Sequence, residues 1–346
     1  MRLPTWVGDV LMATPVLRAL RARYPAAELI LEGRPSLLQL LEGLPTFDRF
    51  VADPGRGIGA LARRVQALRA LDCDCAVLLP DSVRAALAPA LARIPLRVGY
   101  ARDAARRVLL TRALTPPMRD GRRVAISMVE RYLRIARALD CVDPAPGLDI
   151  ALSPAASAVV TRRLGALGIA PDARLVVLTP GAAFGSSKLW PPASFARAAT
   201  ELRARHGLTP VIAPGPGEES IAHEIARQSD GTLVLAEPPT TLGELAALIA
   251  RASLLITNDT GPRHMAVACG TPVVALLGPT DPGHTSHLLE RQQVLREDVD
   301  CSPCHKKQCP IDHRCMVRLA PARVVAASAV LLADADVAGG CAGDAK

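Results

Sequence analysis

A short apolar segment that leads into a polar turn and a helix start is the strongest constraint on the fold of this chain. Within residues 254–264, Leu254 to Ile256 have the apolar character of a buried strand in a parallel sheet. Thr260 is a good helix N-cap, and Pro262 suits the first helical turn. A helix that begins there directs free N–H groups and the positive end of its dipole towards the edge of the sheet, where anions bind. The segment therefore predicts either a ligand site at a strand end or an ordinary strand–turn–helix connection.

The same alternation of strand and helix signals runs along the chain and restarts after a proline-containing segment near residue 146. Repeated units of this kind predict an α/β fold with parallel sheets covered by helices. At 346 residues the chain is long enough for two domains. We expect them at residues 1–150 and 151–335, followed by a disordered tail at 336–346. The expected strands lie at residues 28–32, 47–52, 75–80, 96–100, 175–179, 210–213, 254–256, 273–277 and 292–296.

Excess positive charge is confined to the first half of the chain. Residues 1–150 hold 23 arginines against 15 acidic residues, whereas the charges balance in the remainder. This asymmetry favours an anionic partner, such as a phosphorylated lipid, a membrane surface or nucleic acid, although arginine used for solubility gives the same composition. Few aromatic residues interrupt the arginines after residue 96, which favours a phosphate-binding surface over a site for single-stranded nucleic acid. These arginines are Arg97, Arg102, Arg106, Arg107, Arg112, Arg119, Arg122 and Arg123.

The sequence predicts neither a membrane span nor a secretion signal. No apolar run approaches the roughly 20 residues that cross a bilayer, and the N-terminus enters a motif directly. We therefore expect a cytoplasmic protein whose nine cysteines stay reduced.

A loop with functional character lies at residues 2–9 and precedes an amphipathic helix. Gly8 lets the backbone approach a ligand closely, and Asp9 lies at the helix N-terminus, where a simple capping role would also explain it. A strand normally precedes such a loop, and the pattern shows none. We therefore expect that the first strand is missing and that the natural start lies a few residues upstream.

Two loops of the second half contain residues suited to a nucleotide. The loop at residues 180–191 ends in Lys188, whose ammonium is a natural partner for a diphosphate. It lacks the Gly-Lys-Ser/Thr order of a P-loop. Glu218 opens a helix after the next strand, and its carboxylate is suited to a ribose hydroxyl.

A group of cysteines near the C-terminus has two interpretations. Cys301, Cys304, Cys309 and Cys315 match structural zinc ligands in number and kind, but their spacing is not that of a standard zinc ribbon. Reduced thiols in a long loop explain them equally.

Taken in order, these motifs resemble glycosyltransferase family 9, the heptosyltransferases, and within it the heptosyltransferase II group. Each motif alone is weak, and their order and spacing over nearly the whole chain make the resemblance specific. The motifs lie at residues 2–9 (RLPTWVGD), 12–15 (MATP), 79–82 (LPDS), 94–100 (IPLRVGY), 128–132 (MVERY), 180–191, 258–261 (NDTG), 278–282 (GPTDP) and in the cysteine group.

The resemblance implies a GT-B fold, in which two Rossmann-like domains face each other across a cleft. It implies transfer of L-glycero-D-manno-heptose from ADP-heptose, bound by the C-terminal domain, to a phosphorylated heptose–Kdo–lipid A core, bound by the N-terminal domain. The reaction would invert the anomeric centre and need neither a metal nor a cofactor. The enzyme would be peripheral on the inner face of the cytoplasmic membrane.

The resemblance also implies roles for individual residues. Asp9 matches the general base and Lys188 the residue that neutralises the leaving diphosphate. Glu218 matches a ribose-binding carboxylate. The positions around the nucleotide sugar are Asp259, Thr260, Gly261 and His264, and for the acceptor we expect Trp6, Gly8, Arg97, Arg102 and Arg106.

Three other functions share some of these features. A family member could act on another core acceptor. A nucleotide-sugar 2-epimerase has the same two-domain architecture and needs no acceptor. A zinc-dependent nucleic-acid binder would use the arginines and cysteines, but no recognition motif accompanies the charge, so we expect no nucleic-acid partner.

Overall fold

The computed structural model describes residues 1–340, with the side chains of all of these except 122–123 and 336–340. This part of the chain forms two compact units. The first comprises Met1–Ala151 and the short segment Gly283–His287. The second comprises Leu152–Pro282 and the chain from Leu288 onward. The division between the main segments thus falls one residue beyond the boundary expected from the sequence.

Parallel strands form the centre of the first unit, and a short antiparallel pair follows them. The strands are β1 (Ile30–Gly33), β2 (Arg49–Ala52), β3 (Cys75–Leu78), β4 (Leu96–Tyr100), β5 (Arg112–Leu114) and the antiparallel pair β6 (Met118–Arg119) and β7 (Arg122–Arg123). Strands β1 and β2 pair with each other, and β3, β4 and β5 form a second group in that order.

The first residues of the chain connect these two groups of strands. The Arg2 N–H donates to Val77 O at 2.8 Å, and the Leu3 N–H donates to Glu32 O at 2.9 Å. Arg2 thus lies between β1 and β3 as an isolated parallel bridge and not as a full strand, and the expectation that a first strand lies upstream stays a prediction.

Helices cover the first unit, and one break among them was not predicted. The amphipathic pattern suggested one helix to about Tyr24, but the structure has two, separated at Ala13. Pro15 lies in the first turn of the second helix, where its missing N–H costs nothing. The helices are α1 (Val7–Met12), α2 (Thr14–Arg23), α3 (Ile58–Ala70), α4 (Val83–Leu91), α5 (Ala104–Arg107) and α6 (Met128–Arg137).

A six-stranded parallel sheet forms the centre of the second unit, with the order β10-β9-β8-β11-β12-β13. Every residue of β8, β11 and β12 is buried, as expected where helices cover both faces of a sheet. The predicted α/β class with parallel sheets is confirmed. The strands are β8 (Leu175–Thr179), β9 (Thr209–Ile212), β10 (Leu233–Val234), β11 (Leu254–Asn258), β12 (Val273–Leu277) and β13 (Gln292–Arg296).

The helices of the second unit extend further towards the C-terminus than the sequence predicted. The last helix runs to Gly340, so residues 336–340 are helical where a disordered tail was expected. The rest of that expected tail, residues 341–346, lies outside the described residues. The helices are α7 (Pro154–Ala166), α8 (Pro192–His206), α9 (Glu219–Gln228), α10 (Leu242–Arg251), α11 (Gly261–Cys269), α12 (Arg314–Val317) and α13 (Pro321–Gly340).

Over the described residues 1–340, none of the helices combines the length and the apolar character that crossing a bilayer requires.

Candidate functional site

The loop that carries Lys188 and the turn at Asp259 follow two neighbouring strands. β8 and β11 pair directly, with Thr179 opposite Thr257. Because the carboxyl ends of parallel strands meet at one edge of the sheet, both connections begin there. The Lys188 ammonium donates to the backbone oxygen of Asp259 at 2.6 Å and to its carboxylate Oδ2 at 3.0 Å. The structure thus brings together two residues that are 71 positions apart in the sequence.

Asp259 is buried, and both of its carboxylate oxygens are occupied by protein groups. Oδ1 accepts a hydrogen bond from Arg263 Nη1 at 2.9 Å, and Oδ2 accepts a second one from Thr280 Oγ1 at 2.8 Å. Burial raises the pKa of Asp259, but the charges of Lys188 and Arg263 outweigh it and hold the pKa well below its usual range. The ionised carboxylate therefore organises Lys188, Arg263 and Thr280. A direct contact of Asp259 with the nucleotide sugar stays a prediction.

Lys188 retains capacity for a ligand despite this pairing. It lies in a short 3-10 turn, Ser186–Lys188, and the residue is only 9% exposed. An ammonium carries three N–H donors, and the described contacts with Asp259 use two. The third donor suits an anion in a largely desolvated site, and the group stays net positive because Lys188 and Arg263 share the single carboxylate of Asp259.

The N-terminus of α11 lies next to this pair. Thr260 is the N-cap, as predicted, but its hydroxyl donates to Asn258 O at 3.2 Å and caps none of the described backbone N–H groups. Pro262 has no N–H, and the Arg263 N–H donates to Thr260 O at 3.2 Å, so in this turn the Gly261 N–H is the group that none of the described contacts uses. His264 lies in the first turn, is 4% exposed, and adds a small contribution that lowers the pKa of Asp259.

Asn258 fixes the loop at residues 180–191 to the end of β11. Its amide nitrogen donates to Pro180 O at 2.6 Å and to Gly181 O at 3.3 Å. Its amide oxygen accepts the Trp190 N–H at 3.2 Å. Trp190 is completely buried and donates through Nε1 to Leu319 O at 2.9 Å. Both ends of the loop are therefore anchored, which limits the positions open to Lys188.

Glu218 joins this loop to the turn that follows β9. Its carboxylate accepts the Gly215 N–H at 2.8 Å. It also lies so close to Gly181 that a Cβ built there would be 1.6 Å from Glu218 Oε2. Burial raises the pKa of Glu218, and hydrogen bonds from the Gly215 and Ala182 N–H groups oppose that rise. The structure thus gives Glu218 a role in loop packing, and a role at a ribose stays a prediction.

In the first unit, Asp9 lies in the first turn of α1 and is partly exposed. Burial raises the pKa of Tyr132 well above its ordinary value, and the nearby charges of Asp9 and Asp81 raise it further. Asp9 and Asp81 therefore both lie near the Tyr132 side chain. Arg131 forms an ion pair with Asp81 and lies over the Tyr100 ring, with its guanidinium carbon 4.1 Å from the ring centroid.

The residues expected at the acceptor separate into two groups. Trp6 is 52% exposed and precedes the buried Gly8, and Arg102 is also exposed. Arg106, in contrast, is completely buried and donates to Ser82 O and, at 2.6 Å, to Tyr100 O. Arg97 donates to Ile94 O and, at 2.7 Å, to Leu109 O. Both guanidinium groups thus donate to backbone carbonyls of their own unit, so this geometry does not favour a contact of Arg97 and Arg106 with the acceptor, and that contact stays a prediction.

The cysteines of residues 301–315 are free thiols. Burial raises the pKa of Cys315, and the neighbouring cysteines raise it further. Across the part of the chain that the structure describes, His, Cys, Asp and Glu side chains form no group of three or more that could hold a metal ion. Both interpretations of the cysteine group, zinc ligands and reduced thiols, stay predictions.

Comparison with known families identifies the family of the chain. Residues 61–314, well over half of the chain, match the model of glycosyltransferase family 9 (heptosyltransferase). The chain belongs to glycosyltransferase family 9. It is therefore a glycosyltransferase, and the resemblance seen in the sequence motifs is confirmed.

Curated and solved relatives of this family 9 enzyme extend the match to nearly its full length. It is 30% identical to lipopolysaccharide heptosyltransferase 2 of Salmonella typhimurium over 307 residues, which cover 85% of this chain and 86% of the relative. It is 27% identical to the solved ADP-heptose lipopolysaccharide heptosyltransferase II of Escherichia coli, with a TM-score of 0.79 over 97% of this chain and 98% of the other.

A second solved structure supports the fold. The family 9 glycosyltransferase of Veillonella parvula superposes with a TM-score of 0.82 over 96% of each chain, at 23% identity. The GT-B fold that the motifs implied is therefore confirmed.

Several residues of the family 9 site were missing from the sequence prediction. Asn258 and Thr280 lie within recognised motifs, but no role was assigned to them. A buried Asn at a strand end is itself a signal of loop anchoring, because its amide must find partners. Arg263 is 1% exposed and bonds Gln292 as well as Asp259. No sequence signal distinguishes such a buried arginine from an exposed one.

Proposed function

We propose that this enzyme transfers heptose from ADP-heptose to a heptose–Kdo–lipid A acceptor in lipopolysaccharide core synthesis. The observation that carries the proposal is the Lys188–Asp259 pair beside the N-terminus of α11. The names of the Salmonella and Escherichia coli relatives, which specify lipopolysaccharide and ADP-heptose, support the choice of substrates.

The donor diphosphate would be bound by two sources of positive charge. The third N–H of Lys188 donates to a phosphate oxygen, and the backbone N–H of Gly261 donates to another. Thr260 and His264 border this position, and Glu218 is proposed to reach the ribose. Asp259 acts indirectly, since its carboxylate keeps the Lys188 ammonium in place.

The transfer itself is proposed as a single displacement. The acceptor oxygen attacks the anomeric carbon, the bond to the ADP oxygen breaks, and ADP leaves with the bonding electrons. Asp9 takes the proton of the attacking hydroxyl as general base. Attack on the face opposite the leaving group inverts the anomeric centre. Lys188 and the helix N-terminus stabilise the charge that grows on ADP, so the proposed mechanism needs neither a metal nor a cofactor.

The first unit is proposed to bind the phosphorylated acceptor. Its excess of arginine suits phosphate groups, and Trp6, Gly8 and Arg102 are better candidates for contact than Arg97 and Arg106, whose guanidinium groups bond backbone carbonyls. The same charge would hold the enzyme at the inner face of the cytoplasmic membrane, where a lipid-anchored acceptor lies.

The substrate assignment is tested by incubating the enzyme with ADP-heptose and purified truncated cores that carry no, one or two heptoses. We expect one heptose to be added, most efficiently to the one-heptose core, as followed by mass spectrometry. If heptose were transferred efficiently only to the core with no heptose or to the core with two, that core would be the acceptor. Interconversion of free UDP-sugars without any acceptor would contradict the transferase proposal in favour of an epimerase.

A further inference from the structure

The residue before Lys188 is attached to the cysteine-rich loop (residues 300–316) through three of its polar atoms. The Ser187 N–H donates to Lys307 O at 3.0 Å, and its hydroxyl donates to Lys306 O at 2.5 Å. The Ser187 carbonyl oxygen lies 2.7 Å from His313 Nε2. Ser187 is only 2% exposed, so its own atoms in these bonds are shielded from water. The position of Lys188 is therefore tied to a segment more than a hundred residues away.

The two segments are packed as closely as their backbones allow. A Cβ at Gly185 would lie 2.3 Å from Lys307 O, and Gly185 has φ +151°. Only glycine fits this conformation and this approach. Gly185 thus allows the backbone of the loop that carries Lys188 to pack directly against the backbone of the cysteine-rich loop.

The cysteine-rich loop also contacts the turn on the other side of Asp259. The N–H groups of Cys304 and His305 both donate to Pro279 O, at 3.1 and 2.8 Å. Ser302 Oγ donates to Gly278 O at 2.6 Å. This turn leads into Thr280, whose hydroxyl donates to Asp259. The loop therefore contacts the segments on both sides of the Lys188–Asp259–Thr280 network.

We propose that the cysteine-rich loop positions the Lys188 ammonium for the donor diphosphate, with Ser187 and His313 as positioning residues; this inference rests on the proposed function of Lys188. The backbone around Ser187 contains glycines, and the other described backbone anchors of the segment are Asn258 at its two ends and Glu218 at Ala182. Without the contacts to the cysteine-rich loop, the middle of the segment is free to shift. A displacement of about 1 Å at a charged group in an active site costs up to about a hundredfold in rate.

The decisive comparison is between two substitutions of His313. His313→Ala removes the N–H that Nε2 offers to Ser187 O, whereas His313→Gln retains an N–H donor of similar reach. His313 has φ +55°, so both variants carry the same backbone strain and differ mainly in the hydrogen bond. We expect His313→Ala to lower kcat/KM for ADP-heptose about tenfold and to weaken ADP binding, with the acceptor KM unchanged. His313→Gln should recover most of the loss.

A matched control separates positioning from simple stability. Ser229→Ala removes a buried hydroxyl that donates to Ile225 O at 2.7 Å, at the end of α9. It should lower Tm slightly and leave kcat/KM unchanged. If His313→Ala behaved like this control, with a lower Tm and wild-type kcat/KM, the positioning role would be wrong. Should His313→Ala fail to fold, Ser187→Ala decides in its place: a several-fold fall in kcat/KM supports the role, and an unchanged value contradicts it.

Coupling to Lys188 distinguishes this inference from the proposed function. In a Lys188→Ala background, His313→Ala should weaken ADP binding no further, because the group that it positions is gone. If His313→Ala weakened ADP binding as much in the Lys188→Ala background as in the wild type, the positioning role would be wrong. If Lys188→Ala alone left ADP binding and turnover intact, the proposed donor site itself would fail. If Lys188→Ala were inactive and His313→Ala fully active, only the positioning inference would fail.

Discussion

Lys188 Nζ lies 3.0 Å from Asp259 Oδ2 and 2.6 Å from the backbone oxygen of the same residue. The ammonium that we assign to the donor diphosphate is therefore itself held by the carboxylate that follows β11. Charge neutralisation and positioning thus depend on one buried pair, which makes Asp259 as informative to test as Lys188.

Asp259→Asn should destabilise the enzyme and impair turnover together. Asp259 is 6% exposed, and its loss leaves Lys188 and Arg263 without their buried anion. Removing one member of a buried ion pair costs about 3–5 kcal/mol in the free energy of unfolding, which urea denaturation measures. Asp300→Asn is the matched control, since Asp300 is 83% exposed and pairs with Arg314 at 3.5 Å. That control should cost less than about 1 kcal/mol.

Lowering the pH should weaken the Asp259 ion pairs with Lys188 and Arg263. Because the pKa of Asp259 is lowered in the folded protein, its stabilising contribution is fully present above the ordinary aspartate value of 3.8. This contribution is lost as the pH falls from 3.8 towards the lower pKa that Asp259 has in the folded protein. The free energy of unfolding should therefore fall less between pH 5 and pH 3 in Asp259→Asn than in the wild type. Parallel pH curves for the two proteins would contradict the ion pair.

Gly181→Ala tests the contact between the Lys188 loop and Glu218. A Cβ at Gly181 would lie 1.6 Å from Glu218 Oε2, so the carboxylate or the loop must move. Overpacking of this kind costs about 1–3 kcal/mol, and ADP binding should weaken with it. The double variant Gly181→Ala/Glu218→Ala should recover stability, because the opposing carboxylate is gone. Gly165→Ala, at a helical position with open space around the new Cβ, is the control and should be neutral or slightly stabilising.

Arg106 and Arg102 should respond in opposite ways to substitution by alanine. Arg106→Ala removes buried bonds to Tyr100 O and Ser82 O, so it should lower Tm, with little effect on acceptor KM in the folded fraction. Arg102→Ala should leave Tm unchanged and raise the acceptor KM, more strongly at low salt than at high salt. If Arg106→Ala raised the acceptor KM and Arg102→Ala changed only Tm, Arg106 and not Arg102 would contact the acceptor.

The fold could be predicted from the sequence because its signals are local. Continuous apolar runs such as Leu175 to Leu178 are typical of parallel strands with both faces covered, and the structure has them there. The position of residues 1–3 could not be predicted in this way, since the segment is too short to show a pattern and its hydrogen-bond partners lie at Glu32 and Val77.

Prediction of the site was less complete because burial depends on distant residues. Lys188 and Asp259 were expected to face the same ligand, but their ion pair joins two strands and appears only in three dimensions. Arg106 and Arg102 belong to the same arginine-rich segment, and the sequence does not distinguish them. Arg106 is nevertheless buried, whereas Arg102 is exposed. Charge counted along a sequence thus predicts an anionic partner for a domain but cannot assign the contact to a particular arginine.

The central claim is that Lys188 holds the donor diphosphate and Asp9 removes the acceptor proton. It is tested most directly by measuring heptose transfer and ADP affinity side by side for Asp9→Ala and Lys188→Ala. We predict that Asp9→Ala abolishes transfer and keeps wild-type ADP affinity, while Lys188→Ala loses both turnover and affinity for ADP. Near-wild-type transfer by Asp9→Ala, or a Lys188→Ala enzyme in which only acceptor affinity changes, would contradict the assignment.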